Sequence, residues 1–194
     1  MISLPKILFN SIREVVTRVE KVLSVKRYGY SCTYLLQSVE NAASILSQDQ
    51  ILQTAHNTLS NHASLEEAID AYRAMDRTLR YFQVNNDFSI RVYLPDYTHI
   101  TTQEWSVYGV SVLERDVPLP EAVGKGLINA GWTECYSLET GPIQGQTFTY
   151  CHTLFSYSQY SRQNSMICVD LPKEKFLRAF EDASQQDIRF FITD

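Results

Sequence analysis

Apolar residues recur at helical spacing through the first 83 or so positions, and from residue 88 onward the repeat shortens to two. In ILFNSIREVVTRVEKVLSV, Leu8, Ile12, Val15, Val19 and Val22 follow one another at steps of four, three, four and three, with Phe9, Val16 and Leu23 widening the stripe. Such a stripe covers one side of a helix and needs a surface to bury it. After KRYGYS, the segment CTYLLQSVENAASILSQ repeats the pattern through Leu35, Leu36, Val39, Ala42, Ala43 and Leu46. Ser47 and Gln50 have capping-box spacing and predict a third helix running through ILQTAHNTL. The strongest local signal is SLEEAIDAYRAMDRTLRYF, where Ser64 precedes Glu67 by three, Glu66 and Glu67 sit at the positive end of the dipole, and Arg77 and Arg80 sit near the other end. Its apolar edge reads as Leu65, Ile69, Tyr72, Ala74 or Met75, Leu79 and Phe82. Helices joined by such short links predict antiparallel neighbours.

FSIRVYL alternates Phe88, Ile90, Val92 and Leu94 with Ser89, Arg91 and Tyr93, the pattern of a strand with one buried face. EWSVYGVSVLE, about 105–114, predicts a second strand, and EAVGKGLINAG, introduced by Pro118 and Pro120, a short helix stopped by Gly131. WTECYSL and TFTYCHTLFSYS predict strands on either side of the turn GPIQGQ, and SMICVDL predicts another. Pro172 opens the helix KEKFLRAFEDASQQ, and IRFFI closes the chain as a strand at about 187–192. The class is therefore α+β: a helical N-terminal region of about four helices, residues 1–84, followed by a mainly antiparallel sheet domain with two helices, residues 85–194. A subset of these elements matches a ferredoxin-like split βαβ plan with added strands.

Composition adds the environment. The chain has 194 residues, 44% hydrophobic and 20% charged, with only seven Gly and six Pro, which fits a folded globular chain rather than disorder or a fibre. The net charge of −5 is unevenly spread. The first 27 residues hold six Lys or Arg against two Glu, whereas residues from 86 onward hold eight against 14 Asp or Glu. An acidic body repels phosphate backbones, so nucleic acid is disfavoured as a partner. The basic N-terminal helix is able to touch an anionic membrane, but its +4 balance is modest, and a core or dimerisation role suits its stripe better. No apolar run of membrane-spanning length occurs, the N-terminus lacks the plan of a secretory leader, and none of the four cysteines is in a C-x-x-C arrangement. The expected setting is cytoplasm-like, a host cytosol included if the chain is a viral or secreted effector.

Candidate chemistry concentrates in two stretches. Cys151 and His152 adjoin in TFTYCHTLFSYSQYSRQNS, yet neighbours on an extended strand point to opposite faces, so they cannot serve each other as nucleophile and base. Phe148, Tyr150, His152 and Leu154 share one face, and Thr147, Thr149, Cys151, Thr153 and Phe155 the other. In LPDYTHITTQEW, His99 and Glu104, with Asp96, offer an imidazole and carboxylates for acid–base work on one loop, although Pro95 and Asp96 are also ordinary turn formers. His56 and His62 lie six apart, about 120° round a helix, unlike the i, i+4 pair that shares a zinc ion; they read as a solvated helix end. AVGKGLINAG is not a phosphate loop, and Gly124 and Gly126 read as packing glycines. No metal or cofactor is expected. The aromatic strand lacks the basic and glycine positions of RNA-binding sheets, and Tyr150, Tyr157 and Tyr160 suit a protein interface instead.

The resulting expectation is a small non-enzymatic interaction or regulatory protein, acting through self-association or a protein partner. Two alternatives remain: a hydrolase- or transferase-like enzyme using His99 or His152 with a carboxylate and Cys151, and a small-molecule sensor with a pocket between helices and sheet.

Overall fold

The computed structural model describes residues 33–60, 63–84, 86, 88–95, 106–139, 144–154 and 165–181. Two compact units partition the chain, one of Gln37–Lys175 and one of Met1–Leu36 with Phe176–Asp194. In the second unit only residues 33–36 and 176–181 are described, both as helix. The predicted first helix and the predicted last strand lie outside the described residues.

Helix α1 covers residues 33–48, α2 Gln50–Ser60 and α3 Leu65–Val84. The break between α1 and α2 falls at Asp49, two residues later than the Ser47 box implies. Asp49 Oδ1 accepts from the Leu52 backbone N–H at 2.9 Å and so caps α2, while Ser47 Oγ donates back to the Ser44 carbonyl. A carboxylate at the N-cap satisfies a donor that has no partner within the helix, and a Ser that bonds back into the preceding turn cannot do this. The Ser64–Glu67 box forms as the spacing predicts: Glu67 Oε2 accepts from the Ser64 backbone N–H at 2.9 Å, and Ser64 Oγ lies 3.4 Å from the Glu67 N–H. The buried stripe of α3 is Ala71, Tyr72, Met75, Asp76 and Leu79, whereas Leu65 and Ile69 face solvent. The apolar edge is thus shorter at its start than its pattern suggests.

Six strands form one mixed sheet: β1 Ser89–Leu94, β2 Val107–Gly109, β3 Ala130–Trp132, β4 Tyr136–Leu138, β5 Gly145–Leu154 and β6 Ser165–Pro172. Among the described residues the order is β2-β1-β6-β5-β3, with β4 also on β5, and only β1 and β2 run parallel. The α+β class with a mostly antiparallel sheet follows directly. The run about 105–114 is extended only over Val107–Gly109 and then winds into a 3-10 turn, Val110–Val112, and a short helix α4, Leu113–Asp116. The helix predicted up to Gly131 is likewise one turn, α5 Glu121–Gly124. Gly126 has φ +67°, a left-handed conformation that ends it and that side chains disfavour. Gly131 instead lies in β3, where an added Cβ would come within 3.1 Å of Val123 Cγ2, so its role is close approach of α5 to the sheet. WTECYSL breaks into β3 and β4 because Thr133 Oγ1 takes the Thr149 N–H at 3.0 Å, replacing a ladder bond with a side chain. Pro172 closes β6 and α6 spans Lys173–Glu181.

Both faces of the central strands are covered. Ile90, Val92 and Leu94 share a face with Ile167, Val169 and Leu171 through the β1–β6 register. Helices α1–α3 lie over that face: His56 Nε2 on α2 is 2.6 Å from Ser165 Oγ, Gln83 of α3 donates to the Ile90 carbonyl at 2.9 Å, and Trp132 Nε1 donates to Glu40 of α1 at 2.8 Å. The other face carries a second apolar cluster of Tyr93, Tyr108, Leu113, Val117, Val123, Cys151, Met166 and Cys168, roofed by the segment from β2 to α5. Consequently every residue of β1 is buried, not alternate ones as its pattern predicts. The polar set Ser89, Arg91 and Tyr93 turns inward because 107–124 encloses it.

Candidate functional site

That inward polar set is the densest chemistry in the described residues. Arg91, at 0% exposure, meets Asp170, also at 0%, in a bidentate pair: Nε to Oδ2 at 2.6 Å and Nη2 to Oδ1 at 2.7 Å. Arg91 also donates to Tyr93 Oη at 2.5 Å and Tyr136 Oη at 2.9 Å. Asp170 accepts further from Thr149 Oγ1 at 2.7 Å and Ser89 Oγ at 3.2 Å, and Tyr136 Oη and Thr149 Oγ1 lie 2.8 Å apart. Burial alone would lower the Arg91 pKa, but the Asp170 charge and hydrogen bonds outweigh it and hold the guanidinium above its ordinary value. Burial pushes Tyr93 up, and pushes Tyr136 up to about 12 against the opposing pull of Arg91. Arg91, Tyr93 and Tyr136 therefore each hold one protonation state near neutrality.

Strand alternation explains the convergence. Ser89, Arg91 and Tyr93 from β1, Asp170 from β6, Thr149 from β5 and Tyr136 from β4 are brought to one face by the registers Ser89↔Asp170 and Thr149↔Asp170. A slip of one residue would turn Arg91 onto the apolar, helix-covered face, so the cluster specifies the pairing of four strands. Arg91 makes four hydrogen bonds within the cluster and Asp170 four, two of them shared between the pair. The arrangement is built to be satisfied, and its chemistry is that of a structural cross-link. Sequence reasoning passed over it, although an aspartate inside the otherwise apolar run SMICVDL signals a buried cationic partner.

Cys151 is fully buried opposite Cys168, with 3.8 Å between sulfurs, and burial foremost raises the Cys168 thiol pKa. His152 is half-buried on the other face, its Nδ1 2.9 Å from the Thr153 carbonyl. Tyr150 is half-buried against Trp132, ring centroids 5.2 Å apart, and burial followed by the Glu40 charge raises its pKa. His99, Glu104, Tyr157, Tyr160 and His62 lie outside the described residues. His56 corrects its expectation: it is wholly buried rather than a solvated helix end, because α2 turns it onto the sheet toward Ser165. Burial lowers its pKa to about 4, and its Nδ1 lacks a hydrogen-bond partner. The serine–imidazole contact resembles a nucleophile and base, but Ser165 is 1% exposed and the ring is poorly basic. Among the described residues no group of three His, Cys, Asp or Glu is placed to hold a metal ion, and no helix is long and apolar enough to cross a membrane.

One region is open. Between α2 and α3 runs a groove of about 550 Å³ lined by Gln50, Ile51, Thr54, Ala55 and Thr58 on one side and Glu67, Asp70, Ala71 and Ala74 on the other. Residues 51, 54, 55 and 58 and residues 67, 70, 71 and 74 repeat the same i, i+3, i+4, i+7 spacing, so each helix presents one stripe. Leu52, His56 and Leu59 on the other side of α2 are buried, which turns Ile51 and Thr54 outward, while Ala55 and Ala71 form a buried floor. Small side chains keep the floor low, and Ile51 stands 53% exposed on its rim. The readable signal was the small-residue stripe itself, which the apolar-edge reading of α3 ignored. No family model matches this chain, and no curated protein matches it in sequence.

Proposed function

We propose that this protein is a non-enzymatic interaction or regulatory module that holds a helical segment of a protein partner in the α2–α3 groove. The observation that carries the reading is the groove: a wide, mainly apolar trough between two packed helices, with a large side chain, Ile51, left half in water beside it. Burying such a trough under the apolar stripe of another helix removes that surface from water, and helix-in-groove recognition uses this same spacing of anchors. The tyrosine surface around Tyr150 stands in the same proposal as a secondary contact, as do self-association and a cytoplasm-like setting. The ferredoxin-like plan, which needs a closing strand at about 187–192, is also kept as a proposal.

A photo-crosslinking residue at Thr54, in the groove, tests the reading against the same residue at Tyr81, exposed on α3 but outside the lining. Crosslinks to one defined protein from position 54 alone, lost on Ile51→Glu, are expected. Equal labelling from both positions, or labelling unaffected by Ile51→Glu, overturns the groove as the interface. The small-molecule sensor is the second reading, favoured by a volume within the usual range for ligand pockets, roughly 300–1,000 Å³. It requires a ligand that raises the melting temperature by mass action and loses that effect in Ile51→Glu.

A further inference from the structure

The chemistry of the groove's occupant follows from a gap in the sequence. Between Arg27 and Arg73 the chain has no Lys or Arg, while Glu40, Asp49, Glu66, Glu67 and Asp70 fall inside that interval. Helix α2 carries no charged residue, so the formal charge of the groove comes from Glu67 and Asp70 in its wall, with Glu66 beside them in the first turn of α3. Hydrogen bonds from Ser64 hold the Glu67 carboxyl below its usual pKa, which keeps it ionised. Arg73 is the nearest sequence cation, 3.7 Å from Asp70, but both side chains are mostly in water, 68% and 71% exposed, and a pair of this kind is readily exchanged. The trough therefore joins an apolar floor to a negative wall. Acidic lipid and nucleic acid are repelled by that wall, and a neutral helix gains nothing from it.

We propose that the groove takes a cationic amphipathic helix from a partner protein, its apolar stripe on Ile51 and Ala74 above the buried floor of Ala55 and Ala71, and its Lys or Arg side chains over Glu67 and Asp70. This inference rests on the groove reading above and adds the charge of the partner. Alanine and threonine walls allow the partner backbone to approach closely, and the long aliphatic stems of Lys and Arg extend the apolar contact before their charged ends meet the carboxylates. Opposite charge speeds encounter and selects against the wrong partner, both in a salt-dependent way.

Two designed helical peptides of roughly 18 residues, long enough to hold a helix, share one Leu/Ala stripe and differ only in a Lys or a Glu polar face. Their binding to the full chain is followed by fluorescence anisotropy at about 50 mM and about 300 mM salt. The Lys peptide is expected to bind about tenfold or more tightly than the Glu peptide, an advantage reduced severalfold at the higher salt and by Asp70→Lys. Ile51→Glu is the deciding variant. Loose electrostatic attraction to an acidic protein would be strengthened by an extra carboxylate, whereas seating in the trough is expected to be lost. Circular dichroism melting confirms that each variant remains folded. If both peptides bind equally and both are lost on Ile51→Glu, the charge inference is overturned and the groove stands. If neither binds, or if Ile51→Glu leaves binding intact or stronger, both fall.

Discussion

The Arg91–Asp170 cluster and the α2–α3 groove are opposites within one unit of the chain. The cluster is closed, charged and densely hydrogen-bonded; the groove is open and mostly apolar, and the polar groups of its rim pair only locally along α3, Glu67 with Ser64 and Asp70 with Arg73. Chemical richness by itself would point to the cluster. Availability points the other way, because groups buried and paired within the fold are closed to a ligand, whereas exposed apolar surface retains free energy to be gained on binding. The difference teaches that convergent polar residues in this sheet serve register, and that recognition is to be sought where folding left surface uncovered.

The largest test of this contrast is Asp170→Ala. It strands a buried guanidinium and is expected to cost about 3–5 kcal/mol, measured by denaturant unfolding, which approaches the whole stability of many domains. A variant that is folded with unchanged stability would mean that the cluster is not a structural cross-link. Next comes pH. Burial holds His56 at about 4 against 6.5, so between those values the unfolded chain binds a proton that the folded chain refuses. The contribution of this site is complete above about pH 6.5 and falls away as the pH drops toward 4, by at most about 3 kcal/mol. Unfolding titrations at about pH 7 and about pH 4.5 should show that loss in the native sequence and a flatter profile in His56→Gln. A smaller effect is expected of Ser64→Ala, which removes the cap of α3 and should lower stability by about 1 kcal/mol in the same assay. Smallest is Ile51→Glu: at a half-exposed position its unfolding free energy should stay within about 0.5 kcal/mol of the native value, while groove binding is lost. A large destabilisation there would show that Ile51 serves the fold, and the contrast between the two regions would blur.

Much of the framework is readable from local pattern. Helix α3 and its Ser64–Glu67 box, strands β1, β5 and β6, and α6 after Pro172 all form where their spacing places them. Short segments are less readable. The stretch 105–114 looks like one strand but pairs with β1 over only three residues before turning helical, since it must climb over the sheet to roof it. The site was harder still. An alternating strand reports two faces without saying that both are enclosed, and His56 on α2 looked solvated until the sheet closed over it.

The sequence by itself determined the class, the order of most elements, the faces of each strand and the uneven charge, because these depend on side-chain period and on residue identity within a few positions. Only the tertiary structure decided that Arg91 finds Asp170, that Cys151 faces Cys168, that His56 is sealed against Ser165 and that the outer stripes of α2 and α3 meet in a trough. Those pairings join residues up to 109 positions apart, as between His56 and Ser165. Their partners are selected by sheet register and helix packing, which depend on the whole chain's burial of apolar surface rather than on any local signal.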